Sequence, residues 1–320
     1  MNNTSLRLDN NTIKQREAWI DWMKTTLIYL VVVGHSAING LPSQLIYMFH
    51  VPAFFIISGY LYKHNSLYKT AKRLLFPTVL YAIINFPYNY AYYTYKGGKD
   101  DIADIIANMV CSFYMYGGFK LYAGAWFVLV LFYIRFVSRD YKWNIVLMGF
   151  SLFFISIYVK NGCWFEKSLF YRMLLCMPFF YFGYVLKQHK AIFVISKKVP
   201  LSILCFFTIW GGITNGIVDI ADLKLGNNTP LFYIVAVFSF CVLVSFYAKV
   251  RSNKYIETVS NGTLLVLCIH GPLTDIIMQV GRVIDPSCYI TPWLCGLVIL
   301  FFSYFAIKFA TRYCPMLLGK

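Results

Sequence analysis

Ten apolar runs follow one another along this chain, each close to the ~20 residues a helix needs to cross a bilayer, with only short polar interruptions between them. They fall near 25–40, 44–62, 74–95, 121–138, 143–160, 168–187, 199–217, 230–248, 259–280 and 289–311. With 59% hydrophobic and 13% charged residues, the chain has too little polar surface to coat the two soluble domains that 320 residues would otherwise suggest. The expected fold is all-α: a polytopic integral membrane protein of about ten transmembrane helices in a single domain, 1–320. Pro77 and Pro87 predict a kink or break in the third run.

The charge pattern tests this map independently. Twenty-nine Lys and Arg stand against 13 Asp and Glu, a net +16, and the basic residues are scattered through short loops. Placing the N-terminus in the cytoplasm puts six basic groups inside: Arg7 to Lys24, Lys63 to Arg73, Arg135 to Lys142, Lys187 to Lys198, Lys249 to Lys254, and Lys308 to Lys320. Only Lys96, Lys99, Lys120, Lys160, Lys167, Lys224 and Arg282 fall outside. Both termini are therefore expected in the cytoplasm, with 1–24 a cytoplasmic segment and 96–120 an extracytoplasmic loop. In that loop Ile102, Ile105, Ile106 and Met109 recur at helical spacing, as in a surface-lying helix. Trp19, Trp22, Trp126, Trp143, Trp164 and Trp210 sit near span ends, as in an interfacial belt.

Other classes find little support. The aromatic residues lie inside apolar runs and form no basic stacking stripe, so no nucleic acid partner is expected. Nine cysteines form no CxxC pair and no Cys/His ligand spacing, which indicates neither a zinc site nor a disulfide framework. The polar start, Met1 to Asp21, lacks the short apolar core and small-residue cleavage site of a signal peptide, so the first span is expected to be retained.

Ionisable groups inside spans are costly and mark candidate sites. Lys24 and His35 are eleven positions apart. On a helix that places them within ~20° of one face and about 16 Å apart along the axis. Asn39, four residues further, is expected on the same face, where it would fix the imidazole tautomer. The plainer alternative is an anchoring Lys24 that snorkels beside a satisfied core histidine. His50 opens a segment with Pro52, and the Ser58-Gly59 pair permits close helix approach. His50 is open to two readings, an acceptor-orienting group or an interface histidine. Arg172, early in its span, is either a snorkelling residue or a ligand for an acceptor's phosphate. His270 and Asp275 lie roughly 140° apart around their helix, which argues against a direct pair. Trp126 and Phe127 are expected to be anchors rather than sugar-stacking groups.

Five blocks, in order, carry a resemblance. They are Lys24-x10-His35 with VVVGHS (Val31 to Ser36), FHVPAFFIISGYL (Phe49 to Leu61), AWFVLVLF (Ala125 to Phe132), MPFFYFGYVLK (Met177 to Lys187) and SNGTLLVLCIHGPL (Ser260 to Leu273). Together they resemble acyltransferase family 3, membrane O-acyltransferases, and within it the branch of fucose O-acetylase-like and exopolysaccharide or O-antigen acetylases. The resemblance implies a multi-pass enzyme of the bacterial inner membrane. It would transfer an acetyl group from acetyl-CoA to a carbohydrate hydroxyl on a surface polysaccharide or its lipid-linked precursor, with no permanently bound cofactor or metal. Lys24 and His35 would be the catalytic pair, with His50, Asn39, Ser58, Arg172 and His270 in supporting or acceptor-binding roles. Two departures stand out. Many members carry Arg where this chain has Lys24, which substitutes a point charge for a bidentate donor. No SGNH hydrolase-like domain follows the last span, as expected of a stand-alone transferase or one that works with a separate partner. The rival from another class is a proton-coupled secondary transporter, which also suits intramembrane His, Arg and Asp, though the paired halves usual in carriers are not seen.

Overall fold

The computed structural model describes residues 17–95, 97–99, 101–107, 125–138, 146, 148–155, 169–189 and 200–320. Within them run helices α1 (Ala18–His35), α2 (Gly40–Tyr60), α3 (Leu67–Tyr95), α4 (Ala125–Val137), α5 (Leu169–His189) and α6 (Leu201–Asn215). A two-stranded hairpin follows, β1 (Val218–Asp219) and β2 (Lys224–Leu225), and then α7 (Thr229–Tyr247), α8 (Lys254–Asn261), α9 (Thr263–Ile284) and α10 (Thr291–Tyr313). Helices satisfy their own backbone groups, which is what an apolar solvent demands. Among the described residues α2, α5, α7, α9 and α10 are long and apolar enough to cross a membrane, and α4 and α6 are shorter apolar helices. Large side chains such as Ile83, Phe206, Ile213, Phe302 and Phe309 point outward from the bundle, as on a lipid-facing surface.

Two large buried clusters organise the interior. One joins the first half of α1 to α2, α4, α5, α6 and α7, and the other joins the second half of α1 to α3, α8, α9 and α10, with Phe54 packed against both. The closest crossing in the first is between α2 and α5, where two glycines face each other's backbone. A Cβ on Gly59 would overlap the Phe180 carbonyl, and one on Gly183 would overlap that of Ile56. Only hydrogen side chains allow this approach.

Several elements depart from the sequence expectation. The first helix begins seven residues earlier than the apolar run at 25–40 and stops at His35. Its polar early turns are affordable because they are bonded to the chain between Arg251 and Ser260. It stops because Ser36 folds its hydroxyl back to the Val32 carbonyl at 2.7 Å and Ala37 takes a left-handed φ of 58°. The third helix is not broken: α3 runs through both Pro77 and Pro87. The run at 259–280 is not one helix, because Gly262 separates α8 from α9. Asn253 starts α8 by accepting a hydrogen bond from the Ile256 N–H at 2.9 Å. His50 does not open a span; it sits in the middle of α2. Of the run at 143–160, residues 148–155 are helical, and Trp143 lies outside the described residues, as do Trp164 and Met109. Helical residues 102–107 match the expected loop helix, with Ile105 buried and Ile102 and Ile106 exposed.

One end of the bundle brings together the start of α1 and the ends of α2, α4 and α5. There Lys187 pairs with Glu17 at 3.0 Å, the Tyr62 hydroxyl donates to the Ser138 carbonyl at 3.1 Å, and Gly319 packs on the Arg73 backbone. The opposite end carries the turn at 36–39 and the hairpin. The hairpin is fixed by Asn215, whose side chain donates to the Leu225 carbonyl at 2.9 Å and accepts from the Asn228 N–H at 2.7 Å.

The glycine crossing yields a stability prediction. Gly183→Ala forces α2 and α5 apart, and overpacking of this kind costs about 1–3 kcal/mol. The thermal unfolding midpoint of the detergent-solubilised protein falls accordingly; an unchanged midpoint contradicts the crossing as described.

Candidate active site

A cavity of about 260 Å³ lies at the seam between the two clusters, walled by α1, α2, α4 and α9. Each wall supplies one residue near each end. On α1 these are Lys24 and His35, on α2 Ser58 and His50, on α4 Arg135 and Trp126, on α9 Thr263 and His270. At 1.5 Å per residue, the two α1 groups are about 16 Å apart, and those on the other walls about 10–14 Å. The cavity is therefore an elongated slot with cations at one end and imidazoles at the other.

The position of α1 determines where two of these groups point. Trp22 donates from its indole N–H to the Arg251 carbonyl at 3.0 Å, and the Thr25 hydroxyl to the Ile256 carbonyl at 3.3 Å. Ser260 is the main tie: its hydroxyl donates to the Asp21 carboxylate at 2.6 Å, and its carbonyl accepts from the Lys24 ammonium. Lys24 thus keeps its head at the cavity rather than extending toward the bundle's outer surface. Across the slot, the Nε of Arg135 is buried and has no hydrogen-bond partner among the described residues.

At the far end three histidines assemble from three helices. The His35 and His270 rings meet edge to face with centroids 5.0 Å apart. Tyr47 lies 6.5 Å from His35 and 5.2 Å from His50. His50 Nδ1 lies 2.6 Å from the Ile46 carbonyl, and His270 Nδ1 lies 2.7 Å from that of Leu267. A carbonyl only accepts, so both rings carry the proton on Nδ1 and present Nε2 as an acceptor when neutral. These two side chains are buried, at 3% and 4% exposure. His35 differs. It is exposed, and it has no hydrogen-bond partner among the described residues. It is the imidazole of the three that is open to a ligand.

Of the residues singled out from sequence, Lys24, His35, His50, Ser58 and His270 line this one cavity. Asn39 does not. The helix ends at His35, so Asn39 cannot continue its stripe; it precedes α2 as the N-cap residue and makes no side-chain capping bond. Arg172 does not line the cavity either, and it does not snorkel. Its side chain is 7% exposed and donates from Nε and Nη2 to the Ala221 carbonyl, at 2.9 and 2.6 Å, holding the hairpin tip. The guanidinium also sits 5.6 Å from the Trp126 ring centroid. Asp275 accepts from the Tyr88 hydroxyl at 3.4 Å, in keeping with its separation from His270. Sequence reasoning missed Arg135, counted only as a loop cation, and set aside Trp126 and Phe127, which line the slot. Their place in the Ala125 to Phe132 block was the available signal.

The tie at Ser260 is testable. Ser260→Ala leaves the buried Asp21 carboxylate short of a donor, a loss of about 1–3 kcal/mol. A lowered unfolding midpoint is expected, and an unshifted one would remove Ser260 as the anchor of α1.

The family model described as an acyltransferase domain, that of acyltransferase family 3, matches residues 17–313, and so takes in every wall of the slot. No curated protein and no solved structure gives a significant match to the chain. With the match running across nearly the whole described chain, this protein belongs to acyltransferase family 3.

Proposed function

We propose that this acyltransferase moves an acetyl group from acetyl-CoA to a hydroxyl of a carbohydrate, a surface polysaccharide or its lipid-linked precursor. The observation that carries the reading is the polarity of the slot: Lys24 and Arg135 at one end and His35 at the other, about 16 Å along α1, comparable to an extended pantetheine arm. In the proposed arrangement ten spans place both termini in the cytoplasm of a bacterial inner membrane, so the cationic end meets the coenzyme there. In this reading residues 1–320 act as one membrane domain, and the reaction draws on no resident cofactor or metal.

Lys24 and Arg135 would receive the coenzyme phosphates through charge-assisted hydrogen bonds. The thioester then lies against His35. An imidazole nitrogen of His35 accepts the proton of the acceptor hydroxyl as the oxygen attacks the carbonyl carbon. The tetrahedral intermediate collapses with rupture of the carbon–sulfur bond. The proton passes from His35 to the departing thiolate, giving the acetyl ester and free coenzyme A. His270, edge-on at 5.0 Å, positions the His35 ring, and the apolar walls limit competing hydrolysis by water.

Purified protein with radiolabelled acetyl-CoA, together with proton NMR of acetyl groups on the surface glycan, tests this. His35→Ala lowers transfer by about 10²–10⁴-fold, the range for loss of a general base. Lys24→Ala raises the KM for acetyl-CoA about tenfold, the scale of one lost charged hydrogen bond, while Lys24→Arg retains function. Full transfer by His35→Ala, or glycan acetylation unchanged on deletion of the protein, contradicts the proposal. Loss of solute movement across vesicles with transfer intact would favour a carrier instead.

A further inference from the structure

A second hollow, of about 280 Å³, lies at the imidazole end of α1 on the other side of Tyr47. Among the described residues its polar lining comes from Asn39, Ser43, Gln44 and Tyr47 at the start of α2 and from Asp219 of β1. Asn39 leaves its side chain free of the capping bond usual at its position. The Asp219 carboxylate is partly committed, accepting from the Ala221 N–H at 3.0 Å and the Asp222 N–H at 3.3 Å. Burial, with the nearby Asp222 charge, raises this carboxyl above its ordinary range, against the lowering effect of those bonds and of Lys224 across the hairpin.

Tyr47 links the two hollows. Tyr47 lines the second, while His35 and His50, the rings it touches, line the first. The Tyr47 hydroxyl donates to the Gly34 carbonyl at 3.2 Å, and a Cβ on Gly34 would press on the Tyr47 ring at 3.3 Å. Gly34, the residue before His35, therefore lets the phenol lie flat against the end of α1. That hydrogen bond latches the ring in place.

We propose that this second hollow is the acceptor subsite, that it takes a neutral sugar residue, and that Tyr47 is the wall past which one sugar hydroxyl reaches His35. Two amides, a hydroxyl, a carboxylate and an aromatic face supply the mixed donors and acceptors that a polyhydroxylated ring requires. The Asp219 carboxylate disfavours a phosphate, so any lipid-linked diphosphate lies outside this hollow. Separation by Tyr47 keeps the thioester away from water until an acceptor is seated. This inference rests on the acetyl transfer proposed above.

The experiment combines two readouts on the full-length protein: binding of tritiated acetyl-CoA to the purified chain, and glycan acetyl content by proton NMR in cells carrying each variant as the sole copy. Asn39→Ala with Gln44→Ala, and separately Asp219→Asn, lower glycan acetylation at least fivefold and leave the acetyl-CoA Kd within twofold. Tyr47→Ala, which removes the wall, raises hydrolysis of acetyl-CoA by water at least threefold. Unchanged acetylation in the Asn39/Gln44 and Asp219 variants overturns the proposal, and so does loss of acetyl-CoA binding along with acetylation, since that joins the hollow to the donor site. Hydrolysis that does not rise in Tyr47→Ala overturns the wall. A wild-type chain that binds no acetyl-CoA sinks the acetyl-transfer reading itself, a result distinct from all of these.

Discussion

A single helix, Ala18–His35, carries a cation to one end of the slot and an imidazole to the other, so its fixation governs the geometry of the site. That fixation is polar. Asp21, Trp22, Lys24 and Thr25 bond to the segment from Arg251 to Ser260, far away in sequence, and buried polar groups left without these partners would be expensive. The far end is set differently, by a turn. Ser36 and Ala37 stop the helix at His35, which leaves that ring at the rim of a tightly packed interior rather than within it.

Around this helix the bundle provides rigidity on one side and space on the other. Gly59 and Gly183 bring α2 and α5 into backbone contact, and the Phe-rich cluster behind them fixes the α2 wall on which Ser58 and His50 lie. The slot lies where the two clusters meet, with α1 contributing to both and Phe54 packed against both. A seam of this kind is a common place for a ligand site, as it can be lined by several elements without interrupting a core.

Much of this was legible in the sequence, for identifiable reasons. Apolar runs near 44–62, 168–187, 230–248 and 289–311 coincide with α2, α5, α7 and α10 within a few residues, since length and hydropathy are what the bilayer selects. The eleven-residue spacing of Lys24 and His35 held because one helix contains both. Asn39 failed because helical periodicity says nothing about where a helix ends, and a left-handed Ala37 leaves little trace in composition. Gly262 was hidden for a related reason, as hydropathy averages across a one-residue break. The hairpin, with two residues in each strand, is too short for any alternating pattern. Arg172 was open to two readings, snorkelling or phosphate binding, and met neither because its partner is a backbone carbonyl, and backbone acceptors are invisible in a list of side chains. Arg135 was read through the charge rule alone, which assigns a side of the membrane but not a direction for the side chain.

The account stands on the coenzyme lying along α1 with its phosphates beside Lys24 and Arg135 and its thioester at His35. A cryo-electron microscopy structure with acetyl-CoA bound tests that most directly. Density running from the two cations to the His35 ring is the predicted result. Coenzyme bound outside the slot, or lying in it with the phosphates at the histidine end, would contradict it.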